Sequence, residues 1–288
     1  MGTRAGRIVR TTKIVDHGSD ALRFNVVMLS DGFQEAELPR YRAAVDAFVA
    51  RFQQAGPFDA LWPAINVYRV DVISTDSSVD DESNHISRRT YFDSCFDPKL
   101  SRLLCCDTGA ALAAAKAQVA AMAMTFVVAN TGEYGGSGGD AAVFSINEYA
   151  ADIGLHEMGH TVCKLADEYA CYACGNDNGA SETGHEQYDH RHDNAPNIAP
   201  SLKRPLKWEA LLTAPADPLP TTKNADCGKC DPQPDPKPAG YVGAYEGAAW
   251  FHCGGYRPSH ECRMRIVNRP FCAVCRGVIT AMLKPYMP

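Results

Sequence analysis

Short apolar runs and amphipathic helical patterns alternate along the first half of the chain. The run Phe24–Leu29 predicts a buried strand, and Ile65–Ile73 predicts a second one, with a bulge where its apolar phase shifts. Between them, apolar residues recur at helical spacing over 41–52, in a helix expected to begin near Pro39 and to end at Gly56. Strands separated by helices in this way favour a largely parallel sheet.

The same alternation continues toward the middle of the chain. An Ala-rich helix is predicted over about 109–123, and Thr125–Ala129 follows it as a buried strand. The glycine-rich segment Tyr134–Gly139 is interpreted as a connection to an edge strand at Ala141–Ile146, since no Gly-Lys-Ser/Thr follows that would indicate a phosphate loop. A helix over about 149–163 comes next.

The second half of the chain is predicted to be rich in loops. Residues 213–239 hold seven of the 18 prolines, which is not compatible with a regular helix or strand. A final helix is expected over about 272–283. The predicted fold class is therefore α/β (α+β), with a sheet and helices in the first part and loops in the second.

Composition and charge exclude several classes of protein. The 288 residues are 45% hydrophobic and carry a formal net charge of −6, so a folded core is expected and nucleic-acid binding is not. No apolar run is long enough to span a membrane, and no signal peptide is predicted in the sequence as it stands. Twelve cysteines are compatible with secretion and with metal binding in a reducing compartment, so the localisation stays open.

Residues His156, Glu157 and His160 form an H-E-x-x-H motif on the helix predicted over about 149–163. Positions i and i+4 lie on one face of a helix, so the two imidazoles can bind the same Zn²⁺. Glu157 can reach a water on that ion and act as general base, and later as proton donor. The alternative is a surface helix with two unrelated histidines, but the carboxylates that follow downstream favour a catalytic zinc site.

A third zinc ligand is expected among the carboxylates Asp167 and Glu168. If the helix continued past His160, Asp167 would lie about 10.5 Å further along its axis, too far to share the metal. The chain must therefore turn back between these residues. A different interpretation is that Asp167 only orients a ligand histidine through a hydrogen bond.

The segment His156–Tyr169, which reads HEMGHTVCKLADEY, resembles the signature of the IgA-peptidase family of zinc metallopeptidases. Further segments agree with that family across nearly the whole chain: Asn25–Gly32, Asn66–Ser74, Tyr134–Gly139, Gly243–Ala248, Gly255–Pro258, Cys262–Arg265 and Pro270–Cys275. The resemblance implies a metzincin-like zinc protease with a twisted mixed sheet, an active-site helix, an edge strand that pairs with substrate, and a Met-turn under the zinc. It implies peptide-bond hydrolysis, without implying that immunoglobulin is the substrate.

The resemblance also assigns individual roles. It favours Asp167 as the third ligand beside His156 and His160, and it places Met264 at the Met-turn position. Lys164 stands where the family pattern has Gly, the natural residue for a left-handed helix end, and a lysine there would cost roughly 1 kcal/mol. Two tyrosines are candidates to stabilise the tetrahedral oxyanion. They are Tyr169 and Tyr256.

The cysteines and three further histidines offer other metal-binding possibilities. The candidates for a second, structural Zn²⁺ are Cys171, Cys174, Cys227 and Cys230, which form two C-x-x-C pairs. The alternative is that cysteines form disulfides. Those expected to staple the segment around Met264 are Cys253, Cys262, Cys272 and Cys275. A polar stretch contains His185, His190 and His192, for which a solvated loop is the simpler interpretation than another metal site.

Together these patterns predict one catalytic unit with two subdomains. Residues 1–167 would hold the sheet, edge strand and active-site helix, and 168–288 would form a loop-rich, cysteine-stapled subdomain with the Met-turn. The predicted function is a zinc-dependent endopeptidase that acts as a monomer on a peptide or protein substrate, which lies along the edge strand near 140–147. The alternative is a non-catalytic, zinc-stabilised protein-binding module, which would have no need of Glu157.

Overall fold

The computed structural model describes residues 4–100, 102–171, 183–230 and 234–288. The chain divides into two compact units. The first ends at Val162 and also includes the C-terminal residues Thr280–Pro288, and the second is Cys163–Ile279. The first unit contains β1 (Gly6–Val15), β2 (Phe24–Asp31), α1 (Leu38–Gln54), α2 (Phe58–Leu61), β3 (Ile65–Ser74), β4 (Asp80–Asp81), β5 (Cys95–Phe96), β6 (Leu104–Cys105), α3 (Thr108–Gln118), β7 (Met122–Ala129), β8 (Gly136–Ser137), β9 (Ala142–Ser145) and nearly all of α4 (Ala150–Cys163). The second contains β10 (Tyr245–Ala248), β11 (Phe251–Arg257) and most of α5 (Ala273–Leu283). No helix of the described residues is long and apolar enough to cross a membrane.

The first unit is built on a six-stranded mixed sheet with the order β1-β3-β2-β7-β9-β8. The inner strands β3, β2, β7 and β9 run parallel, as the alternation of strands and helices predicts, while β1 and β8 pair antiparallel at the two edges. The expectation of an edge strand at Ala141–Ile146 is wrong, because β9 pairs with a neighbour on each side. The edge is formed by β8, inside the glycine-rich segment.

The predicted bulge in the second strand is also misplaced. Strand β3 pairs with β2 in unbroken register, and the irregularities fall in β1, between Ile8 and Arg10 and between Lys13 and Val15. Strand β1 itself was not expected, since its residues lack an apolar run and lie mostly at or near the surface. Its β-branched residues favour a strand, and it pairs with β3 along its length.

Helix α1 covers one face of this sheet with an aromatic stripe. Tyr41, Phe48 and Phe52 are buried on it at helical spacing, as predicted. Phe48 packs at centroid distances of 4.9 Å from Phe126 of β7 and 5.3 Å from Phe144 of β9. Burying a side chain of this size contributes about 1.5–3 kcal/mol, so the cluster is a large part of what holds α1 on the sheet.

A connection with little regular structure links β3 to α3, and the buried carboxylate of Asp31 organises it. At the end of β2, Asp31 accepts hydrogen bonds from the backbone N–H groups of Tyr91, Phe92 and Ser94, at 2.8, 3.0 and 3.1 Å. Further along, the segment 102–104 lies beside β8, where Gly136 N–H donates to the Arg102 carbonyl at 3.2 Å. The outer side of the edge strand is therefore partly covered by this connection.

The second unit has few regular elements, as its proline content predicts. Within the described part of 213–239 the chain forms turns and isolated bridges, and no helix or strand. The hairpin β10–β11 and helix α5 supply most of the order, and one apolar cluster includes Tyr188, Ile198 and Phe251. The predicted final helix is confirmed, as is the coarse mixed α/β class.

Candidate active site

Helix α4 carries the H-E-x-x-H motif and lies against the aromatic core of the first unit. A turn precedes the helix, in which the side-chain oxygen of Asn147 accepts from the backbone N–H of Tyr149 at 2.7 Å. Gly154 allows a close approach, because a Cβ there would lie 2.7 Å from a ring carbon of Phe48 and 3.1 Å from one of Phe144. The predicted helix is confirmed, and its packing holds the motif on a rigid element.

The structure brings the side chains of His156, Glu157 and His160 together. The two Nε2 atoms are 3.1 Å apart, and one ligand atom from each of the three residues lies within 4.8 Å of the others. His156 and Glu157 are buried, while His160 is half-buried. Two imidazoles bound to one tetrahedral zinc at about 2.0–2.1 Å would have ring nitrogens about 3.4 Å apart, which is close to the separation of this pair.

The glycine-rich strand β8 and the residues after it run directly beside this part of α4. A Cβ on Gly136 would lie 2.9 Å from Oε1 of Glu157, and one on Gly138 would lie 2.5 Å from Cβ of His160. Any larger residue would collide with the motif, so these glycines let the sheet edge approach it. The glycine run was interpreted only as a connection, and its contact with the helix emerges from the structure.

Helix α4 ends before it reaches either of the candidate carboxylates, Asp167 and Glu168. The helix ends at Cys163, and Lys164 follows with a φ of 54°, in the left-handed region. A residue with a Cβ is strained in this conformation by about 1–2 kcal/mol, which is why glycine is the usual helix terminator. The lysine therefore occupies a position whose backbone is suited to glycine.

In the second unit, the two-residue turn of the β10–β11 hairpin holds Asp167. Both turn residues, Ala249 and Trp250, have positive φ values of 54° and 71°, a geometry for which Asn-Gly is the favoured pair. The indole N–H of Trp250 donates to Oδ2 of Asp167 at 3.0 Å, and the Ala249 N–H donates to the Asp167 carbonyl at 3.0 Å. The Trp250 N–H donates to the Tyr169 carbonyl at the same distance. The turn thus orients a buried carboxylate.

The neighbouring carboxylate, Glu168, has a different set of contacts. It is fully buried, and its Oε1 accepts from the Asn197 side chain at 2.9 Å and from the Cys275 thiol at 3.3 Å. Burial, followed by the nearby Cys272, raises the pKa of Glu168 to about 8. The carboxylates of Asp167 and Glu168 therefore have different surroundings, although the two residues are adjacent in the sequence.

Met264 lies in a tight turn. The turn is closed by the Arg265 N–H, which donates to the Cys262 carbonyl at 2.9 Å, and the methionine side chain is completely buried. The backbone N–H of Glu168 donates to the Met264 carbonyl at 2.7 Å. Within the second unit, the turn and the carboxylate segment are therefore directly connected.

The two candidate tyrosines are both half-buried in the second unit. Tyr256 lies opposite Glu246 in the β10–β11 hairpin, and its hydroxyl donates to Oε1 of Glu246 at 3.4 Å. Burial and this carboxylate raise the pKa of Tyr256, so its hydroxyl keeps its proton over the neutral range. Tyr169 accepts the Trp250 hydrogen bond through its main chain.

The prediction of a structural zinc at the two C-x-x-C pairs is wrong for the cysteines that the structure describes. Cys171 forms a disulfide with Cys230, and Cys227 forms one with Cys253. A cysteine in a disulfide has no thiolate to offer a metal, so this four-cysteine site does not form. Cys174 lies outside the described residues.

The expected disulfide staples around Met264 are also corrected. Only Cys253 of that group is in a disulfide, and its partner lies in the proline-rich loop. Cys262, Cys272 and Cys275 are free and buried. The disulfides therefore secure the proline-rich loop and not the methionine turn.

The three histidines of the polar stretch make separate contacts. Nδ1 of His185 lies 2.8 Å from the Trp250 carbonyl, His190 pairs with the exposed Asp193, and the His192 ring packs edge-on against the Trp250 indole. Among the described residues they form no group that could hold a metal.

Two positions that support the candidate site were missed by sequence reasoning. Gly138 beside His160 belongs to a glycine run that could have suggested a close backbone approach. Trp250 gave no signal, since nothing in its local sequence indicates that its indole reaches Asp167.

Comparison with known families reaches nearly the whole chain. A model of the family described as IgA Peptidase M64 matches residues 12–229 and 233–283. These ranges include helix α4, the segment with Asp167 and the turn with Met264. No curated protein matches the chain significantly.

Proposed function

The chain belongs to the IgA peptidase M64 family and is a metallopeptidase, and on that basis we propose that it is a zinc-dependent endopeptidase with Glu157 as its general base. The observation that carries the proposal is the convergence of the Nε2 atoms of His156 and His160 at 3.1 Å, with Glu157 beside them on a buried helix face. A structural zinc site would have no use for a carboxylate at that position.

The donor set fits zinc. Imidazole nitrogens and a carboxylate are ligands that Zn²⁺ accepts, and hydrolytic sites combine three such ligands with an open position. Gly138 supports the fit, because the absence of a side chain there leaves His160 its place. When bound, zinc lowers the pKa of water toward neutrality and polarises the carbonyl of the scissile bond.

Asp167 is our proposed third ligand, in preference to Glu168. The Asp167 carboxylate receives the Trp250 indole N–H, the kind of hydrogen bond that orients carboxylate ligands in metal sites. The Glu168 carboxylate instead lies beside Asn197 and the Cys275 thiol, in a separate group of side chains within the second unit. The left-handed residue Lys164 ends the helix before both carboxylates, so the choice between them rests on their contacts.

In the proposed reaction, Glu157 accepts a proton from the attacking water and later delivers it to the amine of the departing peptide. Its buried position keeps the proton from exchanging freely with solvent. Tyr169 and Tyr256 remain our candidates for the hydroxyl that stabilises the tetrahedral oxyanion. Met264 is proposed as the methionine of a metzincin-like Met-turn.

The proposed substrate is an extended peptide that binds beside the chain following β8. Segment 102–104 already pairs with Gly136, so the substrate is placed further along, next to Gly138 and Gly139 and close to His160. Backbone pairing of this kind provides affinity without demanding one sequence. The enzyme is proposed to act as a monomer.

The test combines metal analysis with hydrolysis of casein and of a peptide library. Glu157→Gln should keep the fold and the zinc but slow hydrolysis at least about a hundredfold, the scale expected for a lost general base. Glu133→Gln is the matched control, since Glu133 is exposed in the same unit. A Glu157→Gln enzyme as fast as wild type would overturn the mechanism, and zinc binding without any hydrolysis by wild type would favour a binding module.

The third ligand has its own test, a zinc titration against a competing chelator. Asp167→Ala should abolish most zinc binding at the histidine site if Asp167 is a direct ligand. A milder loss of about 10–100-fold in affinity would mean that it acts by orienting a histidine. Unchanged affinity would mean that the third ligand lies elsewhere.

A further inference from the structure

A second group of potential metal ligands lies inside the second unit. It consists of one carboxylate and three thiols, from Glu168, Cys262, Cys272 and Cys275. One ligand atom from each lies within 4.8 Å of all the others, and all four residues are buried. None of the three cysteines is in a disulfide. Four soft or anionic donors in one buried place are unusual unless something holds them together.

The four residues come from three separate segments. Glu168 belongs to the segment that follows α4, and Cys262 opens the turn that carries Met264. Cys272 directly precedes α5, and Cys275 lies in its first turn. A C-x-x-C pair at a helix start places both sulfurs where the backbone N–H groups favour thiolates.

The distances match a tetrahedral zinc centre better than they match a disulfide. Sulfurs bound to zinc at about 2.3 Å are about 3.8 Å apart in a tetrahedron, and a sulfur and a carboxylate oxygen are about 3.6 Å apart. Here the Sγ atoms of Cys262 and Cys275 are 3.7 Å apart, and Sγ of Cys275 is 3.3 Å from Oε1 of Glu168. Disulfide sulfurs would be about 2.05 Å apart.

Glu168 shows most directly that a cation fits here. Its Oε2 atom is buried and has no hydrogen-bond partner among the described residues. An unsatisfied carboxylate oxygen in the interior is costly, and a metal ion would satisfy it. The remaining contacts resemble the outer shell of a metal site: Asn197 donates to Oε1, and the Cys272 backbone N–H donates to Sγ of Cys262 at 3.3 Å.

We propose that Glu168, Cys262, Cys272 and Cys275 bind a structural Zn²⁺, separate from the ion at His156 and His160. Three thiolates and a carboxylate form a closed, four-coordinate set with no position for substrate, which is typical of structural zinc. The thiols release their protons to solvent as the ion binds. The buried guanidinium of Arg257 interacts electrostatically with Glu168 and offsets part of the negative charge of the ligands.

At this position the proposed ion would stabilise the second unit by connecting separate segments. It joins the segment of Asp167 to the turn of Met264 and to the start of α5, three parts of a unit with few regular elements. The hydrogen bond from the Glu168 N–H to the Met264 carbonyl supplies a second link between the same segments. In domains with little secondary structure, structural zinc often takes the place of a hydrophobic core, because the free energy of metal binding contributes to the free energy of folding.

Cobalt substitution tests the proposal on the full-length protein. Co²⁺ bound by thiolates gives an intense near-ultraviolet charge-transfer band, which Co²⁺ bound only by histidine and carboxylate lacks. The wild-type protein should bind about two metal ions per chain and show this band, since both sites have zinc-type donors. The double variant His156→Ala/His160→Ala should lose about one ion and keep the band.

Single substitutions assign the band to the four residues. Cys272→Ser and Cys275→Ser should each lose most of the thiolate absorption, while Cys106→Ser, which removes a free cysteine of the first unit, should leave it unchanged. Glu168→Gln should keep the band but weaken the affinity for Co²⁺ by at least about tenfold. Since Cys272→Ser and Cys275→Ser can fail to fold, the wild-type and histidine-variant spectra decide the question independently.

Two results would overturn the proposal. One is a wild-type protein with no thiolate band and, by mass spectrometry without reductant, a disulfide between two of the three cysteines. The other is a band that the double histidine variant abolishes, since the thiolates would then belong to the histidine site. Loss of peptidase activity alone bears on the proposed function and leaves this proposal unaffected.

Discussion

The backbone N–H of Glu168 donates to the carbonyl oxygen of Met264 at 2.7 Å. This hydrogen bond joins the chain just after the proposed ligand Asp167 to the buried methionine turn. The strained turn at Ala249 and Trp250 holds the same segment from another side, through three hydrogen bonds. Backbone strain of this kind persists when surrounding contacts over-determine it, so the position of the Asp167 carboxylate is set by several independent interactions.

The indole of Trp250 should control metal affinity through Asp167. Trp250→Phe removes the N–H that donates to Oδ2, and the zinc affinity of the histidine site should fall about 10–100-fold. The matched control is Trp208→Phe, which removes another buried indole N–H, bonded to the Gly243 carbonyl at 2.7 Å. A chelator titration of both variants should show the loss only in the first. Equal zinc affinities in the two variants would show that the Trp250 indole does not affect metal binding.

Lys164, at the end of α4, has a left-handed backbone conformation, and its replacement by glycine should stabilise the protein. Lys164→Gly should raise the free energy of unfolding by about 1 kcal/mol, because glycine adopts a φ of 54° without strain. The control is Lys116→Gly within α3, which should lower stability by about 1 kcal/mol. Urea unfolding measures both. A destabilised Lys164→Gly protein would show that the lysine side chain contributes more than its backbone conformation costs.

Gly138 should not tolerate a methyl group. The added Cβ of Gly138→Ala would lie 2.5 Å from Cβ of His160, so the imidazole or the strand must move. A displacement near 1 Å at a catalytic centre can cost about a hundredfold in rate, and zinc affinity should fall together with kcat/KM. In Gly132→Ala the new methyl meets nothing within 4 Å, and both quantities should stay at wild-type values. Wild-type activity in Gly138→Ala would argue against a close approach of the chain after β8 to His160.

The two disulfides should stabilise the proline-rich loop. They connect residues separated by 59 and 26 positions, and removing one disulfide typically costs about 2–5 kcal/mol. The double variant Cys227→Ala/Cys253→Ala should therefore melt several degrees below wild type, and so should wild type in strong reductant. Cys106→Ala serves as the control for loss of a free cysteine. A variant that melts like wild type, with chelator alone lowering the Tm, would mean that metal and not disulfides secures this loop.

Much of the fold was predictable where the pattern is local and strong. The buried strands β2 and β7, helix α1 with its aromatic stripe, and the motif helix α4 were expected within a few residues of their observed bounds. The Ala-rich helix ends earlier than predicted, at Gln118, because the chain enters β7 at Met122. Apolar periodicity carries no information about where a tertiary contact ends an element.

Strand neighbours could not be predicted in the same way. Strand β9 has a neighbouring strand on each side. The edge strand is β8, formed by Gly136 and Ser137, whose residue types do not predict a strand. Glycine is unfavourable in strands by propensity, and here it is required by the helix that lies against it. The tertiary contact therefore outweighs the local preference.

The amino-acid sequence by itself determined the features whose geometry is local. The spacing of His156 and His160 on a helix brings their rings together, and the motif helix was expected to end near residue 163, where it does end. Only the tertiary structure decided how the cysteines are used, with Cys171 in a disulfide and Cys275 beside Glu168. The physical reason is that a cysteine thiol can either be oxidised to a disulfide with another thiol or lose its proton and bind a metal, and which of these is open to it depends on the distant residues that the folded chain brings within reach.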